Sequence, residues 1–278
     1  NDGHGAITIG SIETYINEEG FKQGLKPQFP GISSDKKVAV IGSGPAGLSV
    51  ATYLLRAGIA VNMYEKADRA GGLLTYGIPG FKLDKKVVDR RVKSLQEAGL
   101  NLVLNCEVGK DISFDELAKE NDAIFIGIGA TKAKVAKIEN ENAKGVYAAM
   151  EYLTGIQLKN FGKDYNKALD FKDKNVVVVG GGDTAMDCVR TAKREGAKSV
   201  TCLYRRDAHN MPGSQKEYKN ATEEGVDFTF YASPKQILTN ENGEAIGIEM
   251  VKTALGQKDE SGRARMEEVK GSEFKVNA

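Results

Sequence analysis

The sequence predicts an α/β protein made of two separate parallel-sheet units, and three observations carry that reading. Two runs of β-branched or small apolar residues, Val38-Ala39-Val40-Ile41 and Val176-Val177-Val178-Val179, have the make-up of buried parallel strands. Each passes directly into a glycine-rich turn, Gly42-Ser43-Gly44-Pro45-Ala46-Gly47 in the first case and Gly180-Gly181-Gly182-Asp183-Thr184-Ala185 in the second. Each turn leads into a helix pattern and then a strand that ends in charge, at Glu65-Lys66 and at Arg205-Arg206.

The elements follow in order. Residues 1–35 read as an appendage, with a helix from Ser11, as its cap, to Lys22 and a loop carrying Pro27, Pro30 and Gly31. Residues 36–145 form the first nucleotide unit. Pro45 stands where a helix tolerates a missing N–H, Leu48, Ala51 and Leu55 recur on one face, and Gly58 closes the end. A strand at Ala60–Tyr64, a helix from Asp84 to Ala98 and strands at Asn101–Leu104 and Ala123–Ile128 complete it. Residues 146–278 form the second unit, entered through a helix near Tyr147–Leu158 and a polar loop. Its own helix runs from Thr184 to Glu195, with Ala185, Val189 and Ala192 on one face and Gly196 as the stop. Beyond Gly225 the pattern turns to strands at Val226–Ala232 and Ala245–Thr253, with Asn242-Gly243 as a turn signal between them.

Composition agrees with two ordinary cores. The 278 residues are 41% hydrophobic and 28% charged with a formal net charge of +1, so bulk charge points to neither a nucleic-acid nor a membrane-surface partner. No stretch approaches the length of a membrane span, and the first residues lack the form of a signal peptide, so a cytoplasmic protein is expected. Cys106, Cys188 and Cys202 match no CxxC, zinc or iron–sulfur spacing. Buried or free thiols are expected, and a thioredoxin-reductase-like reading, which needs a CxxC beside the second loop, falls.

The chemistry lies in the turns. Glycines let the backbone approach a pyrophosphate, which the free amides and dipole of the following helix favour. An acid about 20 residues on bonds ribose hydroxyls, whereas a guanidinium pair suits a 2′-phosphate. Glu65 lies 23 residues after Gly42 and Arg205 lies 25 after Gly180. One such loop also arises for packing reasons alone; two, each with strand, helix and readout residue in register, predict two different dinucleotides. His209, in the polar loop beyond the arginines, reads as exposed.

Further segments resemble a known family. Gly71-Gly72-Leu73-Leu74, Tyr76-Gly77-Ile78-Pro79, Phe81-Lys82-Leu83 and Asp89-Arg90-Arg91 look like the flavin-facing stretch of the glutamate synthase small (beta) subunit. The second loop, followed by Tyr204-Arg205-Arg206-Asp207 and Asn210-Met211-Pro212-Gly213-Ser214, is similar to that family's NADPH site, and Asn1-Asp2-Gly3-His4-Gly5 to its linker after an iron–sulfur region. The likeness spans essentially the whole chain.

The resemblance implies two Rossmann-like domains in a glutathione-reductase-like arrangement, binding FAD and NADPH. Gly42, Ser43, Gly44, Pro45, Ala46 and Gly47 would cradle the FAD pyrophosphate, and Glu65 with Lys66 would meet the adenosine ribose. Gly72, Leu73, Tyr76 and Pro79 would lie along the ribityl and isoalloxazine portion, Val108 would bond the adenine through its backbone, and Gly129 would approach the diphosphate. Gly180, Gly181, Gly182, Asp183, Thr184 and Ala185 would hold the second diphosphate, and Arg205 and Arg206 the 2′-phosphate. Hydride transfer between two cofactors asks for no side-chain acid or base, so no catalytic residue is assigned. The implied role is an NADPH-dependent oxidoreductase that feeds electrons to iron–sulfur clusters, and through them to a large (alpha) subunit making glutamate. The clusters would sit in a segment preceding Asn1. Phe274–Ala278 reads as a strand just entering the flavin domain, so the chain is expected to be part of a longer protein. Subunits resembling dihydropyrimidine dehydrogenase or ferredoxin–NADP oxidoreductase share the module, and a chain that binds NADP(H) without turnover is the reading from a different class.

Overall fold

The computed structural model describes residues 8–130, 132–258 and 264–278, so the Asn1–Gly5 linker lies outside the described residues. The chain divides into two compact units, one of residues 1–75 and 84–129 and the other of residues 76–83 and 130–278. This differs from the sequence boundaries in three ways: the N-terminal helix belongs to the first unit, the main division falls after Gly129 rather than at 145, and residues 76–83 belong to the second unit.

The first unit opens with α1 (Ile9–Lys22), which starts two residues earlier than expected. Ser11 is not its cap: the amides of Ser11 and Ile12 both donate to the Thr8 carbonyl, which puts Ser11 inside the first turn. The sheet is parallel, in the order β3 (Asn101–Val103), β2 (Ala60–Tyr64), β1 (Lys37–Ile41), β4 (Ala123–Ile126). β1 is central and its Ala39 and Val40 are fully buried, as the apolar run requires. α2 (Pro45–Arg56) buries Leu48, Ala51 and Leu55, the face expected from their spacing. The short α3 (Leu73–Tyr76) leads out of the unit. α4 (Lys85–Glu97) is capped by Asp84, whose carboxylate accepts from the Lys86 amide, and buries Val88, Val92 and Leu95. α5 (Phe114–Glu120) begins in a reciprocal capping box between Ser113 and Glu116.

The second unit begins, after residues 76–83, with α6 (Ala149–Asn160) and carries a parallel sheet in the order β5 (Asn175–Val179), β6 (Ser199–Tyr204), β7 (Asp227–Phe230). α7 (Asp183–Arg194) packs on it, burying Met186, Cys188, Val189 and Ala192, and α8 (Gln215–Glu223) follows. A separate antiparallel sheet consists of β8 (Ala232–Thr239), β9 (Ala245–Lys258) and β10 (Ala264–Asn277). The predicted strand 226–232 is therefore two strands of different sheets. Tyr231, with φ of 55°, makes the corner between them. The Asn242-Gly243 turn does join β8 to β9. The chain end is also corrected: Phe274–Asn277 pairs with Met250–Gly247 of β9, so β10 is the edge of this hairpin sheet rather than a strand entering the first unit.

Candidate functional site: two glycine cradles

In the first sheet β2 and β4 flank β1 on opposite sides, so the chain order reverses beside β1, and ligands of such sheets bind beyond the C-terminal ends of the strands at that point. The first glycine loop stands there. Gly42 has φ of 95°, and a Cβ on it would lie 2.5 Å from the Gly127 carbonyl oxygen. A Cβ on Gly47 would lie 2.0 Å from the Gly42 oxygen, so helix and turn touch through bare backbone. Gly44 differs: it caps α2 with extended backbone and no side-chain bond to the helix amides, and a Cβ on it would meet nothing within 4 Å. The loop is closed on its protein side and open on the side where the α2 amides begin. That is the form of an anion cradle.

Buried neighbours hold the loop in shape. Glu65 accepts from the Ser43 amide at 3.0 Å and the Ser43 hydroxyl at 2.5 Å with one oxygen, and from the Ala67 amide at 2.9 Å with the other. The readout acid is thus also the brace of the turn, and its second oxygen, with one partner, retains capacity to accept from a ligand hydroxyl. The Gly71 amide donates to Ser43, and Gly72 at φ 53° comes so near Gly44 that a Cβ would lie 2.8 Å from its Cα. Exposed apolar side chains lie at the end of β4, Ile126, just beyond it, Ile128, and on α3, Leu73. Pro45, Ala46 and Lys66 are exposed. Val108 is half-buried against the Ala39, Tyr64 and Leu117 cluster. Gly129 has φ of 68° and open space around it. Gly127, which the sequence reading passed over, makes the close backbone approach to Gly42. Its signal was the GxG at the end of an apolar strand.

Tyr76 and Pro79 are buried but belong to the second unit, so the structure does not gather them with Gly42–Gly47 in one body. The Tyr76 ring meets Phe161 edge-on at 6.0 Å between centroids.

The second cradle repeats the first. Gly182 caps α7 with extended backbone, no side-chain bond and nothing within 4 Å of an added Cβ, whereas a Cβ on Gly181 would lie 2.6 Å from the Tyr204 ring. Ala185 is buried under Gly180, and Thr184 is exposed at the helix start. The segment 207–214 folds back over this loop. The Gly213 amide donates to the Gly181 carbonyl at 3.0 Å, the Ser214 amide donates to Asp183 at 2.9 Å, and the Tyr204 hydroxyl donates to the Asn210 carbonyl at 2.9 Å. A Cβ on Gly213 would lie 3.0 Å from the Gly181 oxygen. Gly213 and Ser214 are therefore part of the loop architecture, which the spacing of the first glycines did not reveal.

Arg205 is exposed and Arg206 half-buried at the end of β6, and neither forms an ion pair among the described residues. The Arg206 Nε is buried without a partner. Their backbone is fixed: the Thr253 hydroxyl donates to the Arg205 carbonyl at 2.7 Å and the Tyr231 amide to the Arg206 carbonyl at 3.2 Å. The acid of this loop, Asp207, is occupied by Asn210 and by the Tyr231 hydroxyl, and the Asn210 bonds hold its carboxyl below the ordinary range. Two guanidinia with no acid to neutralise them, beside a helix N-terminus, suit a phosphate ester. His209 is exposed. The residues present thus fit two dinucleotides.

The family model for pyridine nucleotide-disulphide oxidoreductases matches residues 36–269, from before β1 into β10. The chain belongs to this family. Over its whole length it is 49% identical to the glutamate synthase [NADPH] small chain of Escherichia coli (strain K12), covering 60% of that protein. It is 47% identical to the enzyme of the same name from Azospirillum brasilense, with 99% of this chain and 58% of that one covered. The chain therefore spans about three-fifths of the length of these relatives. Among solved structures, FprA of Mycobacterium tuberculosis in complex with NADPH superposes with a TM-score of 0.74 at 18% identity, over 88% of this chain and 69% of that one, which shows a shared fold.

Membership of a pyridine nucleotide-disulphide oxidoreductase family raises the question of a redox disulfide, and the thiols answer it for this chain. Cys188 and Cys202 are buried in the second unit's core or sheet, and burial pushes both thiols up to about 12. Cys106 lies in the other unit, and all three are free. None is poised as a thiolate nucleophile.

Proposed function

We propose that the chain binds FAD at the Gly42–Gly47 cradle and NADPH at the Gly180–Ala185 cradle, and forms the NADPH-oxidising part of a glutamate synthase small chain. The observation that carries the reading is the pair of open helix-capping glycines, Gly44 and Gly182, in units whose readout strands end in opposite charge, Glu65 in one and Arg205-Arg206 in the other. The whole-length likeness to glutamate synthase small chains favours that role over the dihydropyrimidine dehydrogenase-like and ferredoxin–NADP oxidoreductase-like readings.

In this reading the α2 amides beyond Gly44 receive the FAD diphosphate and Glu65 accepts from the adenosine ribose while bracing Ser43. Val108 and Gly129 line the adenine and diphosphate positions, and Gly72 and Leu73 lie toward the ring. FAD, when bound, supplies the two-electron acceptor that the protein's own side chains lack. On the other unit the α7 amides receive the NADPH diphosphate, Arg205 and Arg206 clamp the 2′-phosphate, and the 207–214 segment fixes the loop. The protein's part is binding, orientation and exclusion of water. The longer protein would carry iron–sulfur clusters and dock on a large glutamate synthase subunit in the cytoplasm. Calorimetric titration of the flavin-loaded protein tests the nucleotide assignment: NADPH should bind at least about tenfold more tightly than NADH, and equal affinities would remove the 2′-phosphate role.

A further inference from the structure

The acid that follows the two arginines of the second loop is held in a way that bears on what they can bind. Asp207 is the next residue after Arg205-Arg206, and a carboxylate beside a guanidinium readily forms the same two-pronged bond that a phosphate would. Here it forms none, for neither arginine has an ion pair among the described residues. Asp207 Oδ1 accepts from the Asn210 amide at 2.8 Å and from Asn210 Nδ2 at 3.0 Å, while Oδ2 accepts from Nδ2 at 2.9 Å and from the Tyr231 hydroxyl at 3.1 Å. A carboxylate has about four acceptor positions, so these bonds fill it. They also hold its pKa below the ordinary range, the Asn210 side chain contributing most. Asp207 is thus charged at neutral pH and already saturated.

Both donors are themselves fixed, and all of these residues lie in the second unit. The Asn210 carbonyl accepts from the Tyr204 hydroxyl at 2.9 Å. Tyr231 stands at the β7–β8 corner, its amide donating to the Arg206 carbonyl at 3.2 Å and its carbonyl accepting from the Thr253 amide at 2.8 Å. The residue that steadies the arginine backbone therefore also turns the acid away. Released from this clasp, Asp207 would compete with an anionic ligand for the guanidinia and repel it.

We propose that Asn210 and Tyr231 are positioning residues that determine nucleotide specificity: by saturating Asp207 they keep Arg205 and Arg206 unpaired for a 2′-phosphate, and so act on NADPH affinity and not on NADH affinity. This rests on the NADPH assignment above.

The test is a mutant cycle read by calorimetric titration of the flavin-loaded protein with NADPH and with NADH. Asn210→Ala combined with Tyr231→Phe removes three of the four bonds to Asp207 and leaves the backbone one. With Asp207 intact, this pair of substitutions should weaken NADPH binding about fivefold, the weight of one exposed ion pair that must break before the phosphate can bind, and leave the NADH Kd within about twofold. In the Asp207→Asn background the same pair should change the NADPH Kd by less than about twofold, because a neutral amide offers the arginines no rival charge. Weakened NADPH binding in both backgrounds, or NADH weakened as much as NADPH, would make the clasp merely structural. Unchanged NADPH binding with Asp207 intact would mean that the acid does not compete; each of these results overturns the proposal. Equal affinities of the wild type for the two nucleotides would instead overturn the 2′-phosphate reading and this role with it.

Discussion

Gly44→Ala separates the two things a glycine loop can do. In the folded chain an added methyl at Gly44 meets no atom within 4 Å, and the backbone there, φ −66° and ψ −176°, is open to any L-residue. Restricting the unfolded chain stabilises by about 0.4–1 kcal/mol, and the poorer helix-capping of alanine costs about as much. The apoprotein should therefore unfold within about 0.5 kcal/mol of wild type. The same methyl, however, projects into the space where a diphosphate would approach the first amides of α2. Losing one to two charge-assisted bonds at about 1.5–3 kcal/mol each removes about 3 kcal/mol, a factor of about 100 in Kd. Gly47→Ala is the contrasting variant: its methyl would lie 2.0 Å from the Gly42 oxygen, so the apoprotein itself should lose about 3 kcal/mol or more. Urea unfolding of the apoproteins and fluorescence titration with FAD measure both effects. If Gly44→Ala bound FAD as tightly as wild type, the cradle would not be a diphosphate site.

Three other outcomes follow from the same geometry. Arg205→Ala with Arg206→Ala should weaken NADPH binding at least about 100-fold and NADH binding little, since two charge-assisted contacts are lost only with the 2′-phosphate; calorimetry with both nucleotides checks this. Burial pushes the Glu224 carboxyl up, but bonds from Arg190 and Arg194 outweigh it and hold it below its ordinary 4.5. Its contribution to stability is therefore present above about pH 4.5 and lost as pH falls through the lowered value. Glu224→Gln should be less stable at neutral pH and flatten the acid limb of the stability–pH curve, and an unchanged limb would contradict the assignment. Near neutral pH a thiol reagent should leave Cys188 and Cys202 unlabelled in the native protein and label all three cysteines after denaturation.

Both glycine loops, their strands and their helices were legible in the sequence because each rests on local chemistry: an apolar run, residues free to turn, and one buried helix face. The C-terminal sheet was not, because its organisation depends on pairing partners. Nothing local in Val226–Ala232 announces that Tyr231 turns at positive φ and splits the run between two sheets. Nothing in Phe274–Asn277 says that its partner is Met250–Gly247. The same limit applies at the sites. Gly127 owes its importance to the carbonyl that it places against Gly42, and Gly213 to its contact with Gly181, and both contacts link residues far apart in sequence. Glu65 was legible as an acid at a strand end, but its bracing of Ser43 and Ala67 was not. Residues 76–83 read as one stretch with Gly71–Leu74, and only the contacts of Tyr76, Phe81 and Lys82 assign them to the second unit.

The central claim is that one chain carries an FAD cradle and an NADPH cradle that work together. Its most direct test is anaerobic addition of NADPH, and separately NADH, to the protein with added FAD while the flavin absorption band is followed. The account predicts bleaching by NADPH and little by NADH. No bleaching, with FAD passing freely through a desalting column, would contradict it and leave a chain that binds NADP(H) without turnover.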